Sequence, residues 1–134
     1  MRKITQMTEN EISKIIFEAG LKIHRKIGIG LYETVYEQCL AYELKNSGLK
    51  VEKQKDISIE YESLLIEKAF RVDLLIENKV IIEIKAVPEI NSYHTYQLLN
   101  YLRITNCKLG MILNFHSQFL PHKNTVNMND FPNT

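Results

Sequence analysis

Between Arg71 and Val87 the chain reads RVDLLIENKVIIEIKAV, mostly valine, isoleucine and leucine, with Asp73, Glu83 and Lys85 set among them. Such a run belongs in a buried β-hairpin, where carboxylates are costly. Side chains alternate between the two faces of a strand. On the strand through Glu83, Val80, Ile82, Ile84 and Ala86 share one face, and Ile81, Glu83, Lys85 and Val87 the other. On the preceding strand the same parity sets Phe70, Val72, Leu74 and Ile76 against Arg71, Asp73, Leu75 and Glu77. One hairpin face is thus aliphatic. The other is expected to carry Arg71, Asp73, Glu83 and Lys85 together, with Glu83 and Lys85 roughly 7 Å apart along the strand. Two neighbouring acids repel, and burial penalises both unless a cation compensates. A divalent metal with oxygen ligands is one solution, and Lys85 is a partial one. The same pattern also suits a solvated sheet face with a Glu–Lys pair. For Asp73 to meet Glu83, the hairpin needs a loop of Glu77, Asn78 and Lys79, or a β-bulge, with Asn78 or Lys79 left-handed. A two-residue turn would set Asp73 opposite Ile84 instead.

Two further segments carry polar groups at ordered spacing. In GLYETVYE, Gly30 to Glu37, Glu33 and Glu37 stand four apart and share a helix face, with Tyr36 beside them. In HTYQLLNYLR, His94 to Arg103, the residues His94, Gln97 and Tyr101 form a polar ridge on a helix that otherwise packs by leucines. An exposed acidic helix and an amphipathic helix with a polar edge are the plain alternatives.

The elements that must position these residues follow from periodicity. Residues 8–27 read as a helix: Thr8 and Glu11 make a capping-box signature, and Ile12, Ile15, Ile16, Ala19, Ile23 and Ile27 form one apolar stripe. Gly28 follows as its C-terminal cap. A second helix is expected from about Leu31 to Asn46, with Val35, Cys39, Leu40 and Leu44 buried and Gly48 ending it. Val51 to Tyr61 alternates like a strand, and residues 64–87 give two more. Pro88 stops the last of these. Residues 91–105 read as a third helix, facing the core through Leu98, Leu99 and Leu102, and Lys108 to Phe115 as a fourth strand. Thr125 to Met128 is a candidate short edge strand. The order ααβββαβ calls for antiparallel turns among the first strands and a right-handed parallel crossover around the third helix. The fold class is α/β, a mixed sheet flanked by helices.

Composition bounds the function. At 134 residues, 45% hydrophobic and 25% charged, the chain is expected to form one soluble domain, 1–134, with its core at about 8–116 and a tail at 117–134. A formal charge of +1 gives no global field to draw in nucleic acid, so phosphate binding must rest on local groups. Cys39 and Cys107 lie far apart and outside any C-x-x-C spacing, which points to reduced thiols and a cytoplasmic location. The opening MRKITQMTENE has no apolar core, so no secretory signal is expected, and no run reaches membrane-spanning length.

Gly30, Glu33 and Tyr36 spell G-x-x-E-x-x-Y. Over residues 10–115 the sequence resembles the GxxExxY protein family, a branch of the PD-(D/E)XK nuclease superfamily. The ordered set matches: Glu33 on an early helix, Asp73 on a strand, Glu83 and Lys85 as E-x-K on the next, and Gln97 with Tyr101 as Q-x-x-x-Y on the following helix. One departure is Val72, where the nuclease pattern has proline before the aspartate. The resemblance implies a nuclease-like core and binding of Mg²⁺ or Mn²⁺ by Asp73, Glu83 and the Ile84 carbonyl, with Glu33 contacting the metal directly or through water. It implies that Lys85 orients or deprotonates the attacking water, and that Gln97 holds Lys85 or the substrate with Tyr101 behind it. His24 is a candidate extra ligand. Arg71, Tyr101 and Arg103 are candidate substrate contacts; the cluster Lys22, Arg25, Lys26 suits phosphate or the helix dipole equally. Chemistry points the same way, because phosphodiester hydrolysis near neutral pH is served by a metal that neutralises charge and generates hydroxide. Three classes follow: a metal-dependent nuclease on DNA or RNA, for which a homodimer would span a duplex; an inactive nucleic-acid-binding module on the same fold; and an interaction partner in a larger complex.

Overall fold

The computed structural model describes residues 6–117 and 125–127. Its elements are α1 (Glu9–Ile27), α2 (Glu33–Asn46), β1 (Val51–Tyr61), β2 (Leu64–Ile76), β3 (Val80–Lys85), α3 (Ser92–Thr105), β4 (Leu109–Asn114) and β5 (Thr125–Asn127). The five strands form one mixed sheet in the order β1-β2-β3-β4-β5. Only β3 and β4 run parallel; the other neighbours are antiparallel. The helix α3 supplies the crossover that parallel pairing requires. Met128 lies outside the described residues.

Alternation sorts the sheet into two cores. Val80, Ile82 and Ile84 of β3, with Leu109, Met111 and Leu113 of β4, pack under α1 and α2. Ile81 and Ile112 point the other way, to Leu98, Leu99 and Leu102 of α3. Close approach of α3 depends on Gly110, where a Cβ would come within 2.7 Å of the Leu98 side chain. Helix α1 begins as its sequence dictates: the Glu11 N–H donates to the Thr8 hydroxyl (3.1 Å) and the Thr8 N–H to the Glu11 carboxylate (3.4 Å).

Helix α2 departs from expectation at its start. It begins at Glu33, not Leu31, because Gly28 (φ 71°) and Gly30 (φ 102°) hold the preceding backbone in conformations closed to helix. Its buried face is Tyr36, Glu37, Leu40, Ala41 and Leu44, whereas Val35 is exposed. Tyr36 fastens the loop. Its hydroxyl donates to the Gly28 carbonyl (2.8 Å) and accepts from the Leu31 N–H (3.2 Å), while its ring stacks on Phe115 at 4.4 Å.

The β2–β3 hairpin has the expected loop of Glu77, Asn78 and Lys79 between the partners Ile76 and Val80. Glu77 (φ 53°) and Asn78 (φ 56°) are the left-handed residues. The expected apolar face of β2 is not continuous. Leu74 and Ile76 pack under α1 and α2, but Phe70 and Val72 pack on the α3 side. The partner strand turns over at the same level, with Val51 in the first core and Ile57 against the second. Between them stands Gln54 at φ 49°. Two-stranded ribbons twist strongly, and a left-handed residue concentrates that twist at one point.

Replacing Tyr36 by phenylalanine should keep the stack on Phe115 and lose both loop hydrogen bonds. The expected cost is about 1–3 kcal/mol, seen as a lower urea midpoint at unchanged slope. An unchanged midpoint would mean that Tyr36 does not hold the loop.

Candidate active site

The β2–β3 ladder contains three residue pairs, Ile76–Val80, Leu75–Ile81 and Leu74–Ile82, and stops there. Asp73 and Glu83 are the next pair in register. Their side chains replace the backbone bonds of the ladder. The Ile84 N–H donates to Asp73 Oδ2 (2.8 Å), and the Asp73 N–H donates to Glu83 Oε1 (3.4 Å). The strands therefore part at the two carboxylates, which each lean on the opposite strand.

Glu83 is the more enclosed acid, only 7% exposed. Burial pushes its carboxyl from the ordinary 4.5 up to about 8, the negative charge of Asp73 adds to the shift, and the Asp73 N–H and Lys85 act against it. Lys85, half-buried, sits two residues along β3 on the same face. From α3 comes Tyr101, whose phenol is raised by burial first and then by the charge of Glu83. Its ring stacks on Phe70, with centroids 4.1 Å apart and planes within 2°. Gln97 is half-buried one turn before it.

Helix α2 brings two more acids. Glu33 Oε1 accepts from the Ala86 N–H (3.2 Å), just beyond the end of β3. Glu37, one turn further in, is buried, and its side chain accepts from the Gln54 amide. That amide also reaches Asp73 Oδ1 at 3.4 Å. Burial raises the Glu37 carboxyl, Gln54 lowers it, and the charge of Asp73 raises it further.

The matched pattern is not confined to these residues. A sequence model of the PD-(D/E)XK nuclease superfamily matches residues 10–126. The chain belongs to that superfamily. No curated protein and no solved structure matches it. The fold has the superfamily's mixed sheet and flanking helices, and no described helix is long and apolar enough to cross a membrane.

Of the residues expected at a superfamily site, Asp73, Glu83, Lys85 and Tyr101 come together, and Glu33 reaches the end of the same strand. Arg71 does not join them. The turnover of β2 at Asp73 separates it from the acids, and it pairs with Asp56 at 3.0 Å. Arg103 is exposed in the last turn of α3, about 200° around the helix from Tyr101. The Nε2–H of His24 donates to the Ser117 carbonyl (2.6 Å), and its ring lies 6.5 Å from Phe115. Sequence reasoning placed Glu37 on the same helix face as Glu33 but gave it no part in the site. It missed Gln54 altogether, because nothing in a glutamine among lysines announces a left-handed backbone.

The donor set suits a hard cation. Asp73 and Glu83 present carboxylate oxygen, the neighbouring backbone adds carbonyl oxygen, and the strained pairing of two acids is what a dication would relieve. Among the described residues no three His, Cys, Asp or Glu side chains form a ligand cluster. A cation held by these two acids would take the rest of its coordination sphere from water, as Mg²⁺ commonly does.

The raised Glu83 carboxyl fixes a pH dependence. Between about 4.5 and about 8 the unfolded chain loses this proton while the folded chain keeps it. Stability of the metal-free protein should therefore fall as pH rises through that window, by up to about 1.4 kcal/mol per pH unit. Urea midpoints measured in EDTA across this range should show the decline, and Glu83→Gln should flatten it. A wild-type profile that is already flat would show that Glu83 is not held protonated.

Proposed function

We propose that this chain is a divalent-metal-dependent nuclease of the GxxExxY branch, hydrolysing phosphodiester bonds in DNA or RNA. The observation that carries this reading is the interrupted β2–β3 ladder, where two carboxylates take the place of backbone pairing next to a lysine. Asp73, Glu83 and the Ile84 carbonyl would hold Mg²⁺ or Mn²⁺, with Glu33 joining through a water. The bound ion would supply charge neutralisation at the phosphate and a water acidified toward hydroxide.

The chain's own residues have separable tasks. Lys85 lies where it can orient a water and receive or share its proton, and its positive charge faces the phosphate oxygens as charge builds on them. Gln97 positions Lys85 or the scissile phosphate. Tyr101, held flat by Phe70, bounds the site on the α3 side and limits water access. Glu37 and Gln54 hold Asp73 from the α2 side. Both thiols are free, which supports a reducing cytoplasmic setting.

A second reading, a nucleic-acid-binding or protein-interaction module without turnover, is favoured by one feature. A formal charge of +1 supplies little general attraction for a polyanion.

Two measurements separate the readings. Mg²⁺ or Mn²⁺ at a hundredfold excess over its dissociation constant should stabilise the protein by about 2.7 kcal/mol, a melting shift of several degrees for a domain of this size. Asp73→Asn should abolish that shift. Lys85→Ala should retain it and lose cleavage of single- and double-stranded substrates. Metal binding without cleavage in the wild type would favour the inactive module; no thermal response to either ion would remove the metal from the proposal.

A further inference from the structure

The α3 side of the sheet exposes aromatic and aliphatic surface around the candidate site, and its arrangement bears on the class of substrate. Tyr93, Gln97 and Tyr101 recur every four residues and line one flank of α3. Tyr93 is 66% exposed and stands about two turns before Tyr101 on that flank. Tyr101 in turn feels the charges of Glu83 and Asp73 and lies flat on Phe70. The stripe therefore leads from solvent to the carboxylates.

The β1–β2 ribbon meets this surface at Ile57, which packs toward α3, and beyond it the register shifts between Ile57 and Ile59. Tyr61 pairs with Leu64 across the ribbon, and both are exposed. By contrast, the cations of the last turn of α1, Arg25 and Lys26, belong to the opposite helical layer. The side of the sheet bearing Tyr101 is rich in rings, with Lys85 of β3 among them.

A duplex offers a binding surface phosphates and groove edges, and its recognition leans on lysine and arginine. An unpaired strand offers the flat faces of its bases, which stack on aromatic side chains with little dependence on sequence. We propose that Tyr93 and the Tyr101–Phe70 stack form a base-stacking platform, and that the protein selects unpaired DNA or RNA strands over duplex. This rests on the nuclease reading for its placement of the reacting phosphate, but Tyr93, the residue tested, has no part in that reading.

Fluorescence anisotropy tests it in a Lys85→Ala background with Mg²⁺, using a labelled DNA strand, the RNA strand of the same sequence, and the duplex of each. At least one single strand should bind more tightly than its duplex, and the DNA and RNA arms show which backbone is accepted. Tyr93→Ala should weaken single-strand binding roughly tenfold, as expected for loss of one stacking ring. Tyr93→Phe should restore it, since the ring and not the hydroxyl does the stacking. Tyr42→Ala is the control: Tyr42 is 65% exposed but stands on α2, in the opposite helical layer. It should leave binding unchanged. Tyr93 is exposed, so none of these variants should alter the melting temperature. Equal or tighter duplex binding, equal losses from Tyr93→Ala and Tyr42→Ala, or failure of phenylalanine to rescue would each overturn the platform. A change in sedimentation mass on Tyr93→Ala without a change in strand binding would assign the face to a second copy of the chain and overturn it too. The Mg²⁺ thermal shift of the Tyr93→Ala protein is read in parallel. If that shift persists while strand binding shows no preference, the platform has failed and the metal site has not; if the shift is absent while strand selection holds, the reverse is true.

Discussion

Glu77, Asn78 and Lys79 separate Ile76 from its partner Val80, and this odd count fixes which side chain of β3 meets Asp73. With one residue fewer, Asp73 would stand opposite Ile84, and the carboxylates would point to opposite faces of the sheet. The loop bears a conformational cost, because Glu77 and Asn78 are left-handed without being glycine. Contacts from outside the hairpin offset it. The Glu77 N–H donates to the Lys50 carbonyl (3.0 Å), the Lys50 N–H donates back to the Glu77 carboxylate, and Lys79 Nζ donates to the Met7 carbonyl (2.7 Å). The register of the site is thus held by the approach to β1 and by the entry to α1.

A second constraint acts at the other end of the same pairing. If β2 and β3 stayed hydrogen-bonded past Leu74 and Ile82, the space between Asp73 and Glu83 would be closed by backbone. The turnover of the β1–β2 ribbon at Gln54 and Asp73 carries β2 away at that point. Asp73 then serves two purposes. Its Oδ2 satisfies the Ile84 N–H that the lost ladder would have left unpaired, and its charge stays beside Glu83. The opening and the electrostatic repulsion have the same origin.

Much of this was legible in the sequence, and the illegible part has a clear physical character. Periodicity located the helices and strands, and parity correctly demanded the loop that pairs Asp73 with Glu83. The capping box at Thr8 and the glycines before Glu33 marked the ends of α1 and α2 to within two residues. What failed was the assumption that parity runs unbroken along β2. One left-handed glutamine on the partner strand overturned it, moved Phe70 and Val72 to the α3 side, and sent Arg71 to Asp56. A strand pattern reports which residues alternate, but not where a ribbon twists. Tyr36 was left off the buried face of α2 for a related reason. Its neighbours in sequence are acids, yet its ring is fully buried against Phe115, and only the tertiary packing of β4 reveals that.

The two acids of α2 show how the same twist assigns different work to similar residues. Glu33 stands in the first turn of the helix, where a negative charge is favoured by the helix dipole. Its carboxylate is exposed and holds the Ala86 N–H, so it fastens the end of β3 to α2 immediately after Lys85. Glu37 stands one turn deeper, where the dipole helps less and burial penalises the charge. It is tolerable there because Gln54, with its left-handed backbone, donates to it and reaches Asp73 with the same amide. Glu33 thus controls where β3 ends, and Glu37 acts through Gln54 on where Asp73 sits. A helix contributing a single acid could do one or the other, because the end of β3 and the Asp73 carboxylate meet α2 a full turn apart.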